Sequence, residues 1–175
     1  MDNKFKKIEE YPDLVDDETF IEYYNLAYDI GDNYAIYEIG LCYENMKQYE
    51  KAVKYYKIAA DKGIDNAMVN LGTYYASIDD YESSVKYYEK AADCGNICGI
   101  YNLANHYEFI KDNDKAEYYY LLGVEMNDPL SMYSLGTFYY NMNNFEKAEE
   151  YYTLALDNGI NEANIGLANC YKQKY

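Results

Sequence analysis

The sequence contains no arginine and no tryptophan, and its 15 lysines stand against 31 acidic residues, which gives a formal charge of −16. The field of such a chain repels polyanions, so nucleic acid and anionic membrane are poor partners. A basic protein segment is compatible with this charge, although acidity can also serve only to keep a chain soluble. We therefore expect a protein partner, no nucleic acid and no membrane.

Residue types that form catalytic and metal sites are also scarce. His106 is the single histidine, and the four cysteines form no CxxC motif. Cys94 and Cys98 have no second ligand pair nearby, whereas zinc sites use four ligands. Residues 112–114 lack the glycine and the distal glutamate of a calcium loop, and no glycine-rich phosphate loop occurs. We predict no catalytic residue, no metal site and no cofactor, and hence a protein that is not an enzyme.

Long apolar segments are missing as well. No stretch approaches the ~20 apolar residues of a membrane span, and the N-terminal residues MDNKFKKIEEYP include no apolar run of signal-peptide length. Cysteines without a recurring pair, namely Cys42, Cys94, Cys98 and Cys170, are typical of free thiols in a reducing compartment. These features predict a soluble cytoplasmic protein. The abundance of Asn, Lys, Tyr and Ile indicates an AT-rich coding sequence.

What the sequence does contain is a repeat of 32 residues. A tandem tyrosine recurs at this spacing without insertion or deletion, at Tyr23-Tyr24, Tyr55-Tyr56, Tyr87-Tyr88, Tyr119-Tyr120 and Tyr151-Tyr152. A second series with the same spacing comprises Tyr43, Tyr75, Tyr107, Tyr139 and Tyr171. Repetition at this period is the signature of a solenoid, in which each repeat buries its apolar face against its neighbours.

One repeat, residues 65–96, shows how the fold arises. Apolar residues at helical spacing predict a helix A over about 66–78, and the polar pair Asp79-Asp80 separates it from a helix B that runs to Gly95. So short a turn makes the two helices antiparallel. Small residues recur at positions 40, 72, 104, 136 and 168, where they allow close helix approach. Glycines after helix B, with Asn127 in the third repeat, suit a left-handed C′ residue.

The tyrosine series have different predicted environments. Rings equivalent to Tyr43 and Tyr56 lie at helical spacing with the other apolar residues, so we expect them in the core. Rings equivalent to Tyr55 lie about 100° around the helix, which predicts a position at the rim.

The repeated motif carries a family resemblance. Leu71-Gly72-x2-Tyr75, with a small residue, a tyrosine and an alanine at fixed distances after it, resembles the tetratricopeptide repeat. The junction Ala59-Ala60-x2-Gly63-x3-Ala67 is similar to that of Sel-one-like repeats. The resemblance covers residues 17–175 and implies an all-α fold, a right-handed superhelix of antiparallel helix pairs. Asn113, Gly99 and Gly123 depart from the pattern in the third repeat.

The chain divides accordingly. Residues 1–16 form an acidic segment that could hold a short helix at 3–11, and 17–32 form a half repeat consisting of one helix B. Four full repeats occupy 33–160, and 161–175 form a C-terminal capping helix with Lys172, Gln173 and Lys174 as its polar end.

In the arrays that this chain resembles, helix A lines a concave face that binds the ligand. That resemblance implies a partner-binding row rich in tyrosine and asparagine: Tyr34, Tyr37, Glu44, Asn45, Asn66, Thr73, Tyr101, Asn105, Glu108, Tyr133, Thr137, Tyr140, Asn141 and Asn169. Such a row suits a peptide or helix that carries basic residues beside an apolar anchor. We predict a monomeric, non-catalytic scaffold or adaptor. The alternative is a structural subunit that self-assembles through its repeat faces or ends.

Overall fold

The computed structural model describes residues 17–29 and 31–174, and the helix predicted at 3–11 lies outside these residues. Within them every regular element is an α-helix. The helices are α1 (Asp17–Asp29), α2 (Ala35–Asn45), α3 (Tyr49–Asp61), α4 (Asp65–Ser77), α5 (Tyr81–Asp93), α6 (Ile97–Phe109), α7 (Asn113–Glu125), α8 (Pro129–Asn141), α9 (Phe145–Asp157) and α10 (Ala163–Lys174). The even-numbered helices correspond to helix A of the repeat and the odd-numbered ones to helix B.

The described residues divide into two compact units, with the boundary after Tyr87, inside α5. In the first unit α1 packs on α2, α2 on α3 and α3 on α4. In the second unit each helix from α6 to α9 packs on the next one, and helices A of successive repeats also touch. The predicted fold class, all-α with helix pairs that repeat every 32 residues, is confirmed.

Every helix from α1 to α9 ends in the same way. After α2, the N–H of Lys47 bonds to the carbonyl of Glu44 at 2.8 Å, and the N–H of Gln48 bonds to that of Tyr43 at 2.8 Å. This pair of bonds is the Schellman motif, which requires a left-handed residue. Gly63 (φ 85°) and Asn127 (φ 60°) supply it after helix B, as predicted. Lys47 (φ 59°) supplies it after helix A, as do Asp79, Lys111 and Asn143 at equivalent positions, although these residues were not predicted to adopt this conformation.

The small residues inside the helices contact aromatic rings. A Cβ placed on Gly40 would lie 2.5 Å from the Tyr56 ring, and one placed on Gly136 would lie 2.8 Å from the Tyr152 ring. These two rings, with Tyr88 and Tyr120, are almost wholly buried. The core position predicted for the Tyr56 series is therefore confirmed for these four rings, while the equivalent Tyr24 is half-buried.

The Tyr43 series does not behave uniformly. Tyr107 and Tyr139 are buried and Tyr43 and Tyr75 are half-buried, but Tyr171 is 49% exposed. The prediction of a core position for Tyr171 is wrong, because no helix packs beyond this side of α10 in the described residues. Ile165 on the same helix is 69% exposed, so the terminal helix presents apolar side chains in addition to its polar end.

Candidate functional site: the helix A faces

In the first repeat, aromatic rings and a carboxylate converge on the face of α2. The Tyr34 and Tyr37 rings meet edge to face at 5.2 Å, and the Tyr37 ring lies 5.8 Å from that of Tyr56. Tyr56 belongs to α3, and its hydroxyl passes between the helices to donate a short hydrogen bond to Glu44. A buried tyrosine of helix B thereby fixes an exposed carboxylate of helix A.

The chemistry of this cluster favours the neutral phenol. Burial, and next the hydrogen bond to Glu44, raise the pKa of Tyr56 far above its ordinary value. Burial also raises the pKa of Tyr37, with Tyr34 and Glu38 adding to the effect. Both hydroxyls have a hydrogen bond with the side chain of Asn70. The two phenols therefore act as hydrogen-bonding groups and not as bases.

The third repeat presents the same arrangement on α6. The Tyr120 hydroxyl lies 2.7 Å from Asn105 Oδ1 and 2.7 Å from Glu108 Oε2, so its one proton is shared between two acceptors. Tyr120 is only 1% exposed, and burial followed by the Glu108 contact raises its pKa far above the ordinary value. The hydroxyl of Tyr101 accepts a bond of 3.4 Å from Ser134 Oγ. The helix A face of this repeat is thus linked to that of the next.

In the fourth repeat Thr137 stands where the third repeat has Asn105, and Tyr140 stands where it has Glu108. The Tyr152 hydroxyl donates to Thr137 Oγ1 at 3.1 Å, and its ring lies 5.7 Å from that of Tyr133. Tyr140 turns away from this pair, since its ring meets Phe145 edge to face at 5.5 Å. Tyr133 and Thr137 therefore belong to one cluster, whereas the Tyr140 ring packs against the start of the following helix B.

Nine of the predicted residues are brought into these contacts: Tyr34, Tyr37, Glu44, Tyr101, Asn105, Glu108, Tyr133, Thr137 and Tyr140. The clusters do not include Asn45, Asn66, Thr73, Asn141 and Asn169. Asn45, Thr73 and Asn141 are exposed, whereas Asn66 and Asn169 are half-buried. Two contributors were missed, Asn70 and Ser134, which occupy equivalent positions. They lie 64 residues apart, which is two repeats, but the other equivalent positions hold Glu38, Asn102 and Gly166, so residue type gives no consistent signal.

The helix B side of each repeat carries a different aromatic feature. A ring of the Tyr43 series stacks on one of the Tyr55 series, with centroids 5.3 to 5.6 Å apart in all four repeats. Lys51, Lys115 and Lys147 lie 5.1, 4.6 and 4.4 Å from the first ring of their pairs. Lys147 also donates to the Tyr139 hydroxyl at 2.9 Å and lies 3.4 Å from Glu117. In the four full repeats the rings of the Tyr55 series are half-buried, which is consistent with a rim position.

Histidine and cysteine do not converge on a chemical site. His106 is half-buried, its ring meets that of Tyr107 edge to face at 5.5 Å, and burial lowers its pKa. Cys42 and Cys170 are buried, Cys94 and Cys98 are exposed, and all four are free thiols. Across residues 17–29 and 31–174, no group of three or more His, Cys, Asp or Glu is placed to hold a metal ion. No helix in this part of the chain is long and apolar enough to cross a membrane.

Sequence comparison finds the repeat in three places. Models of the tetratricopeptide repeat match residues 34–62, and also 65–93 and 130–158. These ranges coincide with the first, second and fourth helix pairs. No curated protein matches the chain at the sequence level.

Solved structures resemble the chain in fold. The C-terminal part of a TPR repeat-containing protein from Cytophaga hutchinsonii is 19% identical with a TM-score of 0.68, over 87% of this chain and 64% of that one. BtubC from P. vanneervenii is 17% identical with a TM-score of 0.71, over 98% and 84%. MamA (AMB-1) is 20% identical with a TM-score of 0.61, over 81% and 82%. The chain thus spans less than two thirds of the Cytophaga structure, and identities this low indicate a shared fold alone.

Proposed function

Since this chain is a tetratricopeptide-type repeat protein, we propose that it is a non-catalytic scaffold whose helix A faces bind a segment of another protein. The fold presents repeated surfaces and is typically non-catalytic. The segment carries basic residues beside an apolar anchor. One observation supports this choice of partner above the others, namely the distribution of charge between the two kinds of helix.

Lysine is absent from one of the two kinds of helix in the full repeats. The helices A of the four full repeats, α2, α4, α6 and α8, contain no lysine, and the sequence has no arginine. The lysines of these repeats belong to the helices B and to the turns. The helix A faces contribute Glu44 and Glu108 instead, which a cationic segment approaches without repulsion.

The acidic groups on these faces are held in place before a partner arrives. Tyr56 donates to Glu44, and Tyr120 donates to Glu108. A carboxylate has about four acceptor positions, so one bond from a tyrosine leaves capacity for a lysine or arginine. Because the tyrosine fixes the side chain, less conformational entropy is lost when the partner binds. The tyrosines therefore position the acidic groups that recognise the partner.

Apolar contact would come from the rings beside these carboxylates. Tyr34 is 43% exposed and adjoins Tyr37, while Tyr101 and Tyr133 are half-exposed in the second unit. Tyrosine offers large contact area at a low entropy cost, and it is enriched where interfaces derive most of their energy. The amides of Asn105 and Asn70 suit hydrogen bonding to a peptide backbone.

The proposal is tested with peptides selected from a random display library against this chain. We expect selected peptides to be basic with an apolar anchor. Glu44→Gln with Glu108→Gln should weaken their binding about tenfold, because glutamine still accepts the tyrosine bond but loses the charge. Calorimetry at low and moderate salt measures the change, and salt should weaken the wild-type complex.

Glu82→Gln with Glu150→Gln provides the matched control, since it removes two exposed carboxylates from helices B. This variant should bind like the wild type. Selection of acidic or uncharged peptides, or equal losses in the two double variants, would contradict binding at the helix A faces.

A second function, self-association, is favoured by the exposed face of α10. Ile165 is 69% exposed there, and Ala168 is exposed at the position where Gly40 and Gly136 contact a tyrosine ring. A helix B from a second copy could cover this face. Light scattering at two protein concentrations decides the matter: a constant monomer mass rejects self-association, and a rising mass supports it.

A further inference from the structure

A cleft of about 280 Å³ lies between the C-terminal half of α5 and the middle of α7, on the helix B side of the second unit. Its walls are two carboxylates, two tyrosines and two apolar side chains: Glu89, Ala92, Asp93, Tyr118, Tyr119 and Leu122. The helix A residues of the proposed scaffold face take no part in it. The cleft is therefore independent of the proposed function.

The two tyrosines form a corner. Their ring centroids lie 5.0 Å apart and the ring planes are inclined at 78°. Tyr118 is 60% exposed, whereas Tyr119 is supported from behind by Tyr107, stacked at 5.6 Å and 2°. Burial, and then the charges of Tyr107 and Glu89, raise the pKa of Tyr119, so its phenol stays neutral at physiological pH. The cleft thus combines a ring held in place, Tyr119, with an exposed ring, Tyr118, and both lie beside two carboxylates.

In the first unit a lysine occupies the place that is equivalent to Glu89. Lys57 is the ninth residue of α3, as Glu89 is of α5. Its ammonium lies 5.7 Å from the centre of the Tyr75 ring. The hydrogen bond with Tyr75 raises the pKa of Lys57, and the charge of Lys57 in turn acts on Tyr87. Here a lysine of the chain itself fills the place beside the stacked tyrosine pair.

In the second unit the lysines at the places equivalent to the cleft residues are replaced, including Lys90 of α5, whose equivalent is Leu122. Glu89 stands where Lys57 stands, and Tyr118 stands where α5 carries Lys86. The replacements remove the chain's own cations and add a carboxylate and a ring. Lys115 does not substitute for them, since it lies over Tyr107, 4.6 Å from the ring centre, and 3.8 Å from Asp112.

We propose that the cleft formed by Glu89, Asp93, Tyr118 and Tyr119 binds a primary alkylammonium group, such as the lysine side chain of another protein. An ammonium has three donors, and two carboxylates can accept them. Aromatic faces attract a cation through their quadrupole. The alkyl stem then lies against Ala92 and Leu122, as lysine stems commonly lie on apolar surface.

The probe is N-acetyl-lysine methylamide, titrated into the full chain carrying ring-labelled tyrosine and followed by NMR. Tyr118→Phe and Tyr119→Phe assign the two ring signals, because each removes one labelled ring. We expect both signals to shift in a saturable way. The uncharged analogue N-acetyl-norleucine methylamide should bind about tenfold more weakly or not at all. Equal binding of the two compounds would overturn the proposal.

Glu89→Lys tests whether the site exists because the chain's own lysine has been replaced at this place. It restores the residue of the first unit, so the chain's own ammonium fills the cleft and the probe should no longer bind. Glu150→Lys is the matched control, because it makes the same charge change at an exposed position where earlier repeats carry Lys54 and Lys86. Unchanged binding in Glu89→Lys, or equal loss in both variants, would reject a local site.

The source of the ammonium is decided by a third titration, with 1,5-diaminopentane. Affinity similar to that of the blocked lysine indicates a site for lysine side chains. Affinity at least tenfold higher indicates a free diamine, since a second ammonium then meets the second carboxylate. Both results support the ammonium site. If neither the blocked lysine nor the diamine binds, the proposal is overturned.

Discussion

Single atoms decide how closely the helices of this protein approach. At Gly136 the absent Cβ leaves room for the Tyr152 ring, which lies 2.8 Å from where that atom would be. The ring is 4% exposed and its hydroxyl is bonded to Thr137, so it has little freedom to move away. Glycine costs about 0.5–1 kcal/mol inside a helix. The close contact with the ring is the reason for its presence.

We expect Gly136→Ala to destabilise the protein by about 1–3 kcal/mol through overpacking, although alanine is the better helix former. Urea unfolding measures the change. In a background with Tyr152→Leu, the same substitution should become neutral or stabilising, because the ring that it displaces is gone. A stabilising effect in the wild-type background would show that the ring relaxes freely and that the contact does not govern the packing.

For single residues, the sequence indicated which positions are closely packed but not which residues contact each other. The recurrence of small residues predicted close approach of the helices, and at Gly40 and Gly136 it is a tyrosine ring that lies against the glycine, whereas the equivalent Ala168 is exposed. The bonds from Tyr56 to Glu44 and from Tyr120 to Glu108 were not foreseen. Each joins residues 12 apart on different helices, and no local pattern marks such a pair. Glu44 and Glu108 were chosen as partner-binding residues, and that role stays a prediction.

Between successive helices of the full repeats, one residue serves two elements. The N–H of Asn144 bonds to the Tyr139 carbonyl and closes α8, while its side chain accepts from the Lys147 N–H and begins α9. Asp112 acts in the same way between α6 and α7. Gln48 has a similar backbone, with φ −92° and ψ 61° against −92° and 76° for Asn144, but provides no side-chain cap.

Gln48→Asn should therefore stabilise the protein by about 0.5–1 kcal/mol, because asparagine can reach the N–H groups that open α3. Neither residue is charged, so the substitution leaves the net charge of the chain unchanged and any difference in stability reflects the cap. Asn144→Ala should cost about 1 kcal/mol at the equivalent place. Chemical unfolding provides both values. An unchanged midpoint for Gln48→Asn, together with the expected loss for Asn144→Ala, would contradict the equivalence of the two caps.

The helices themselves were largely predictable. Apolar spacing placed helix A of the second repeat at about 66–78, and α4 spans Asp65–Ser77. The tetratricopeptide resemblance is confirmed by the matching models. The left-handed Lys47 and Asp79 were missed, because a lysine or aspartate does not by itself indicate positive φ. Only the 32-residue spacing of these positions could have revealed them.

On the scale of the whole molecule, the protein combines 27 tyrosines with a net charge of −16. Burial raises the pKa of Tyr56, Tyr120 and Tyr152 above that of an exposed phenol, and the hydrogen bonds with Glu44 and Glu108 raise the pKa of the first two further. A phenolate in these positions would also add negative charge to a chain that already has an excess. The folded state therefore holds its tyrosine protons more tightly than the unfolded state does.

Stability should consequently be retained below about pH 10 and fall as pH rises through and above that value, where unfolded tyrosines lose protons that folded ones keep. Urea unfolding at pH 8, 9.5 and 11 measures the loss, and tyrosinate absorbance follows ionisation. We expect the buried rings to ionise together with unfolding, after the exposed rings have titrated. Complete titration of all tyrosines near pH 10 in a chain that keeps its helical signal would contradict this.

In the full repeats, one residue ends a helix and also begins the next. The connections therefore contain no residues beyond those that form the helix ends. A residue inserted into or deleted from a helix rotates the rest of that helix by about 100° relative to the part before it, so the two parts can no longer face the same neighbours. A gene for this protein can therefore change length without losing the fold only in steps of whole repeats. The start of such a step is unconstrained, since a 32-residue block cut from mid-helix to mid-helix restores the same succession of contacts as one cut at a turn. The repeat therefore has a fixed length of 32 residues, but it can be taken to begin at any position.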